Sequence, residues 1–367
     1  MIPVLIPSLP GTDAIVPYLR RIDQTHTYSN YGPLSREFTA KLCAFVSERA
    51  NGAPVAATIT GNGTSAIELA LRYRIAGRSG RLCLMPAFTF VATAHAAVNV
   101  GLEPFFADVD PETLSLTPAI AERALAEGDV AAVVVVSPFG APIDIAAWEA
   151  FEAAHGIPVV FDAAAATLNL RRVGAQPICV SLHATKALGI GEGGAILTTD
   201  TALVEQTTAM TGFGFTTTSR VSEVRGGNFR ISEYAAAVGL AVFDGLEARI
   251  RQLRKASLAY VEGFDRIGVR MQPGFGADWL TMTVNALFEP AAAKAVTAGF
   301  DAAGIQWRRW YGTGCQAHPA FATCRHDGLA RTESVAAGAI GLPFFPAITR
   351  EQIAEVCNCA ERALAAR

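Results

Sequence analysis

Between about residue 55 and residue 200, short apolar runs alternate with longer stretches of helical character, and this alternation restricts the fold more than any other feature. Ala132 to Ser137 holds four consecutive valines, the mark of a strand buried on both faces. Around it the pattern predicts strands at Arg81 to Met85 and Pro104 to Ala107. Helices are expected from Gly61-Asn62-Gly63-Thr64 to about Arg74, from Val91 to Asn99 and from Ile143 to His155. Such an order builds a mostly parallel α/β sheet covered on both sides. Ligands of such sheets bind beyond the carboxyl ends of the strands.

The rest of the 367 residues need a second, smaller unit. Gly194 to Thr198 predicts a strand returning to the first sheet, and Thr211 to Gly227 an ordered loop. Ser232 to Tyr260 predicts one long helix, apolar first and then charged. The composition shift near Leu246 divides the chain into a large domain, 1–245, and a small α+β domain, 246–367. The latter should carry a strand near Thr281 to Leu287 and helices at Ala291 to Ala303 and Arg350 to Ala366. Hydrophobic residues make up 51% and charged ones 17%, which suits a wide buried sheet plus a subunit interface.

A net charge of −3 and a pI near 6.1 supply no basic field for nucleic acid or an anionic membrane. Seven scattered cysteines read as reduced thiols, and Cys357-x-Cys359 lacks the second pair a zinc site needs. Met1 to Pro7 shows no targeting pattern and no apolar run is clean enough to span a bilayer, so a cytoplasmic protein is expected.

Two charged residues stand out against this background. The run Ile157 to Phe161 ends in Asp162, and Ser181-Leu182-His183-Ala184-Thr185-Lys186 leads into Gly189 to Gly194. A carboxylate and an amine at the ends of two buried strands suit pyridoxal phosphate (PLP). The lysine would form the Schiff base and the aspartate would face the ring nitrogen. Gly63-Thr64-Ser65 at a helix entrance would offer amides and hydroxyls to the phosphate, with Ser181 as a further donor. Pro86-Ala87-Phe88-Thr89-Phe90 offers an aromatic after a strand, Phe88 or Phe90, that could lie flat on the ring. Each residue has a plainer reading beside this one: a snorkelling lysine, an N-capping aspartate, a capping box, a core phenylalanine.

In this order the segments resemble the DegT/StrS sugar aminotransferases. The resemblance rests on Tyr28 to Leu34, Gly63 to Ala66, Pro86 to Ala94, Phe105 to Asp110, Phe161 to Ala164, Ser181 to Lys186, Glu192-Gly193-Gly194 and Gly227 to Arg230. It implies the fold of PLP-dependent transferases of type I, like aspartate aminotransferase, with PLP on Lys186 and Phe90, rather than Phe88, against the ring. It also implies a homodimer with shared active sites, in which Asn228 reaches the partner's phosphate. Tyr31, His183, Glu192, Arg230 and Tyr311 are then expected around the substrate, Arg230 as a clamp on its diphosphate.

Asn30 to Pro33, His183 to Lys186 and Glu192 to Gly194 look most like enzymes that make 4-amino-4,6-dideoxyglucose on a thymidine nucleotide. The implied reaction moves an amino group from glutamate, leaving 2-oxoglutarate, to a nucleotide-diphosphate keto sugar for O-antigen or other glycan biosynthesis. Two residues depart from the family's pattern: Ala165 stands where Gln or His is usual, and Gln316 where His is common. Two other readings share the fold. A PLP-fold sugar dehydratase would carry His in place of Lys186, and a regulator or scaffold would hold the cofactor without turnover.

Overall fold

The valine run lies near the middle of an eight-stranded sheet in the computed structural model, which describes residues 1–50, 52–216 and 220–366. Its strands are β1 (Ala56–Thr60), β2 (Leu82–Pro86), β3 (Glu103–Ala107), β4 (Val130–Val136), β5 (Val159–Asp162), β6 (Ile178–Ser181) and β7 (Gly194–Thr198). A second, three-stranded sheet contains β8 (Arg270–Met271) and β9 (Asn285–Leu287). β10 (Arg325–Asp327) returns to the large sheet, and β11 (Ala339–Gly341) completes the small one.

The large sheet runs in the order β1-β7-β6-β5-β4-β2-β3-β10. It is parallel from β6 to β10, with β7 antiparallel to both of its neighbours. Alternate residues of β4 face opposite sides, as the pleat requires. Val133 and Val135 join Phe38, Trp148 and Leu240 on one side; Val134 joins Leu69, Ala96 and Phe106 on the other. Each such valine contributes about 1.5–3 kcal/mol relative to exposure, and both helical layers are held in this way.

A separate core surrounds the antiparallel sheet β11-β9-β8, with Tyr260, Phe264, Phe300 and Phe344 at its centre. The N-terminal residues belong to this second layer. Ile2 N–H donates to Gly304 (3.0 Å), Gln306 N–H to Ile2 (2.9 Å) and Phe344 N–H to Val4 (2.9 Å). Arg249 ties the two parts near the lysine segment, donating to the carbonyls of Ala187 (2.9 Å) and Ser8.

Two expected elements differ. The long helix breaks at Gly245 (φ −103°, ψ 2°) into Glu233–Asp244 and Leu246–Asp265. Glycine there has little helical preference to carry the axis through. The strand expected at Thr281 to Leu287 forms only over Asn285–Leu287. Upstream, Thr281 Oγ1 donates to the Phe139 carbonyl (2.5 Å) and Asn169 bridges Leu280 to Gly140, so the segment is pulled against the large sheet. Of the loop expected at Thr211 to Gly227, residues 217–219 lie outside the described residues. Among the described residues no helix is long and apolar enough to cross a membrane.

Candidate active site

Val136, Asp162 and Ser181 close β4, β5 and β6, and all three open onto one cavity of about 570 Å³. Gly63, Thr64, Phe90, His183, Lys186, Glu192 and Tyr311 line it as well, so most of the residues singled out from the sequence converge. Asp162 is buried. Thr93, in the first turn of the helix Val91–Asn99, donates its hydroxyl to Oδ2 (2.7 Å), and the Ala164 amide donates to Oδ1 (3.2 Å). Burial pushes the Asp162 carboxyl above its ordinary range, and these two donors and Lys186 oppose it. Burial likewise lowers the Lys186 ammonium, with Asp162 pulling the other way. An amine so placed is a better nucleophile than a surface lysine.

The lysine rides on a local return between two antiparallel strands. Leu182 N–H donates to Gly193 (2.9 Å) and Ala184 N–H to Gly191 (2.7 Å), while Lys186 N–H caps back onto His183 (2.8 Å). Gly191 sits at φ +97°, a backbone open to glycine at little cost. His183 pairs through Nδ1 with Thr185 Oγ1 (2.8 Å), and its Nε2 lies 3.5 Å from Glu192 Oε1.

One end of the cavity is the entrance of the helix Gly63–Arg74. Asn62, not Thr64 or Ser65, is the N-cap: its Oδ1 accepts from the Ser65 amide at 2.8 Å. That bond occupies the Ser65 amide, and Ser65 lies behind the cavity wall. The amides of Gly63 and Thr64 and the Thr64 hydroxyl make no hydrogen bond among the described residues, and they face an incoming anion at the positive end of the helix. A Cβ at Gly63 would stand 3.0 Å from Ser181 Cβ, so glycine lets the helix entrance close on the strand end. Phe90, 58% exposed, leaves an aromatic face free at the mouth. A buried, proton-favouring carboxylate, an amine, free amides and an open ring face together fit pyridoxal phosphate.

Besides Ser65, three sequence-derived residues lie outside this cavity. Tyr31 and Arg230 line a second groove of about 320 Å³, and Asn228 stands beside them, accepting from Arg230 (2.9 and 3.2 Å). Asn30 and Tyr31 both hold left-handed backbone (φ 63° and 59°), a strained pair. Arg230 donates to Asn30, Tyr31 bonds Thr208 and Thr211, and buried Glu233 accepts from the Leu34 and Ser35 amides (2.7 and 2.8 Å).

The far wall of the main cavity went unread. Thr283, Arg308 and Trp310 join Tyr311 there. Tyr311 stacks on Phe139 (4.4 Å, 13°) and its hydroxyl accepts from the Phe139 amide (3.2 Å). The run Trp307-Arg308-Arg309-Trp310-Tyr311 was the available signal, being rich in side chains that bind flat or anionic ligands. Ala165 lines the cavity; Gln316 does not, and instead donates to the Thr313 carbonyl (3.3 Å).

Residues 11–361 match the DegT/DnrJ/EryC1/StrS aminotransferase family. Protein Rv3402c of Mycobacterium tuberculosis is 31% identical across 99% of this chain and 90% of its own length. The dTDP-4-amino-4,6-dideoxy-D-glucose transaminase of Shigella dysenteriae is 30% identical over 69% of this chain and 68% of its own. A UDP-N-acetyl-3-dehydro-alpha-D-glucosamine 3-aminotransferase of Acidithiobacillus ferrooxidans is 31% identical over 83% of each. The crystal structure of DesI, solved in the presence of its TDP-sugar product, superposes with a TM-score of 0.86 at 30% identity, covering all of this chain and 94% of that one. With a fold of PLP-dependent transferases and a cavity suited to pyridoxal phosphate, this chain belongs to the DegT/DnrJ/EryC1/StrS aminotransferase family.

Proposed function

We propose that this protein transfers the amino group of glutamate to the 4-keto position of a dTDP-linked 6-deoxy sugar. The observation that carries the reading is the facing pair Lys186 and Asp162 at the strand ends, in a cavity with a free helix entrance on one side. Similarity to the Shigella dTDP-4-amino-4,6-dideoxy-D-glucose transaminase, and to DesI solved with its TDP-sugar product, supports the sugar-nucleotide chemistry. The Acidithiobacillus relative acts at a 3-keto position, and the test below sets the two ketones against each other.

Pyridoxal phosphate, when bound, supplies the electron sink and carries the amino group between the two substrates. The Gly63 and Thr64 amides, the Thr64 hydroxyl and Ser181 hold its phosphate. Asp162 holds the ring nitrogen protonated, an ion pair that compensates its own burial. Phe90 shields one ring face. Lys186 would anchor the cofactor and, once freed, act as base and then acid within each half-reaction, moving the proton off Cα of the donor in the first and onto the keto carbon of the sugar in the second. His183, steadied by Thr185 and Glu192, orients the sugar beside it.

The test begins with the PLP-loaded protein and glutamate, which should bleach the cofactor's visible band and release 2-oxoglutarate. The washed protein then meets 4-keto and 3-keto nucleotide sugars separately. Mass-detected amino sugar from the dTDP 4-keto compound is expected. Product from the 3-keto compound alone would reassign the position, and an unchanged band with glutamate would favour the regulator reading.

A further inference from the structure

Among the described residues the cavity lining holds one guanidinium, and no acid pairs with it. Arg308 is fixed at its root by paired backbone bonds with Gly341, its amide donating to that carbonyl (3.1 Å) and its carbonyl accepting from that amide (2.7 Å). From there its Cζ lies 5.3 Å from the centre of the Trp310 ring, and both side chains line the cavity. Among the described residues the Arg308 guanidinium has no hydrogen bond or ion pair. Its neighbour Arg309 is occupied, donating to the Ala336 carbonyl. The remaining charges of the lining are committed: Lys186 faces Asp162, and Glu192 stands beside His183.

We propose that Arg308 is the anchor for a carboxylate of the amino donor. This rests on the transaminase reading above and adds to it how the donor is recognised. A dicarboxylic amino acid entering the cavity needs a fixed cation, and Lys186 cannot serve because its amine is required for the chemistry. Arg308 stays charged at any working pH and presents a planar fork that matches a carboxylate in two parallel bonds. Trp310 beneath it keeps the fork pre-aimed, and a cation stacked on an indole loses little freedom on binding. Glu192, across the lysine segment, repels the same ligand, so the lining orients a dianion as well as attracting it. A nucleotide diphosphate is the other oxyanion that could meet this fork. The arginine near the strained 30–31 turn, Arg230, is placed on the separate groove and is the better candidate for it.

The experiment uses the PLP-loaded full chain and an unreactive dicarboxylate. Glutarate, butyrate and dTDP are titrated by calorimetry into the wild type, Arg308→Gln and Arg308→Lys, and the rate of cofactor bleaching by glutamate is followed in parallel. Arg308→Gln should weaken glutarate about tenfold to a hundredfold, the loss of a charge-assisted pair, while dTDP changes by less than about twofold. Arg308→Lys should recover part of the loss, because a point charge replaces the fork. Unchanged glutarate affinity overturns the proposal, as does a loss confined to dTDP, which would assign the fork to phosphate. Equal losses of both ligands would also overturn it, since they would report a displaced wall. A wild type that turns over glutamate yet binds glutarate no better than butyrate ends this proposal and leaves the transaminase reading intact. A wild type unaffected by glutamate ends that reading instead.

Discussion

Asp162 is a carboxylate that the fold alone would rather keep protonated, since burial outweighs the help of Thr93, Ala164 and Lys186. A group whose folded pKa is raised contributes its stability below the ordinary carboxylate range and loses it as pH climbs through the raised value. In the cofactor-free protein Asp162→Asn should therefore raise the melting temperature by about 1–3 °C at pH 8 and leave it unchanged near pH 3. Transamination should vanish in the same variant, because an amide cannot hold the ring nitrogen protonated. Thermal melts at the two pH values, with and without PLP, check both halves. A variant less stable than the parent at pH 8 would show that the Lys186 interaction dominates after all. Lys186 has the opposite sign: burial lowers its pKa, so its stabilising share is present above the free-lysine range and is lost as pH falls through the depressed value.

At the scale of elements, the helix entrance at Gly63 and the end of β6 meet at a distance that admits no side chain without adjustment. Gly63→Ala should push the entrance away from Ser181 by a few tenths of an ångström. PLP affinity should fall several-fold while the melting temperature stays within about 2 °C, because alanine is at least as helical as glycine. Fluorescence titration with PLP against a thermal melt separates the two effects. The strands and helices around this junction were legible in the sequence, since burial on both faces writes continuous apolar runs that the eye can follow. Val91–Asn99 falls where the small-residue pattern placed it, and β7 rejoins the sheet as expected. Less legible were features fixed by long-range contact. The break at Gly245 interrupts a pattern that is helical on both sides, and the Asn62 cap hides among glycines. Arg308 and Trp310 reach the cavity only because β11 places Gly341 beside them.

For the whole molecule, we propose that residues 1–245 and 246–367 form two units meeting at Gly245, with the first few residues of the chain crossing over to pack on the second, and that two copies of the chain share their sites. Tyr28, Phe213, Phe215, Val221 and Tyr234 are 43–59% exposed, a large apolar display for a lone chain. Arg230 lies over the Phe213 ring at 5.2 Å, so Asn228 and Arg230 stand at the border of this display, apart from their own chain's cavity. Mixing inactive Lys186→Ala with inactive Asn228→Ala subunits should restore activity through hybrid dimers, at up to about one quarter of wild type if subunits pair at random. Activity that stays at zero after demonstrated subunit exchange would end the shared-site proposal. The cavity also joins two cores: its cradle of Gly63, Asp162 and Lys186 stands on the large sheet, and its far wall of Thr283, Arg308 and Trp310 on the residues that follow. On the proposed reading, loading with cofactor and choosing a substrate would thus be separate achievements of the chain. Arg249 laces Ser8 and Ala187 together between those cores, and on the proposed reading its loss would let the far wall drift while the coenzyme's cradle stayed whole, leaving a carrier that no longer selects.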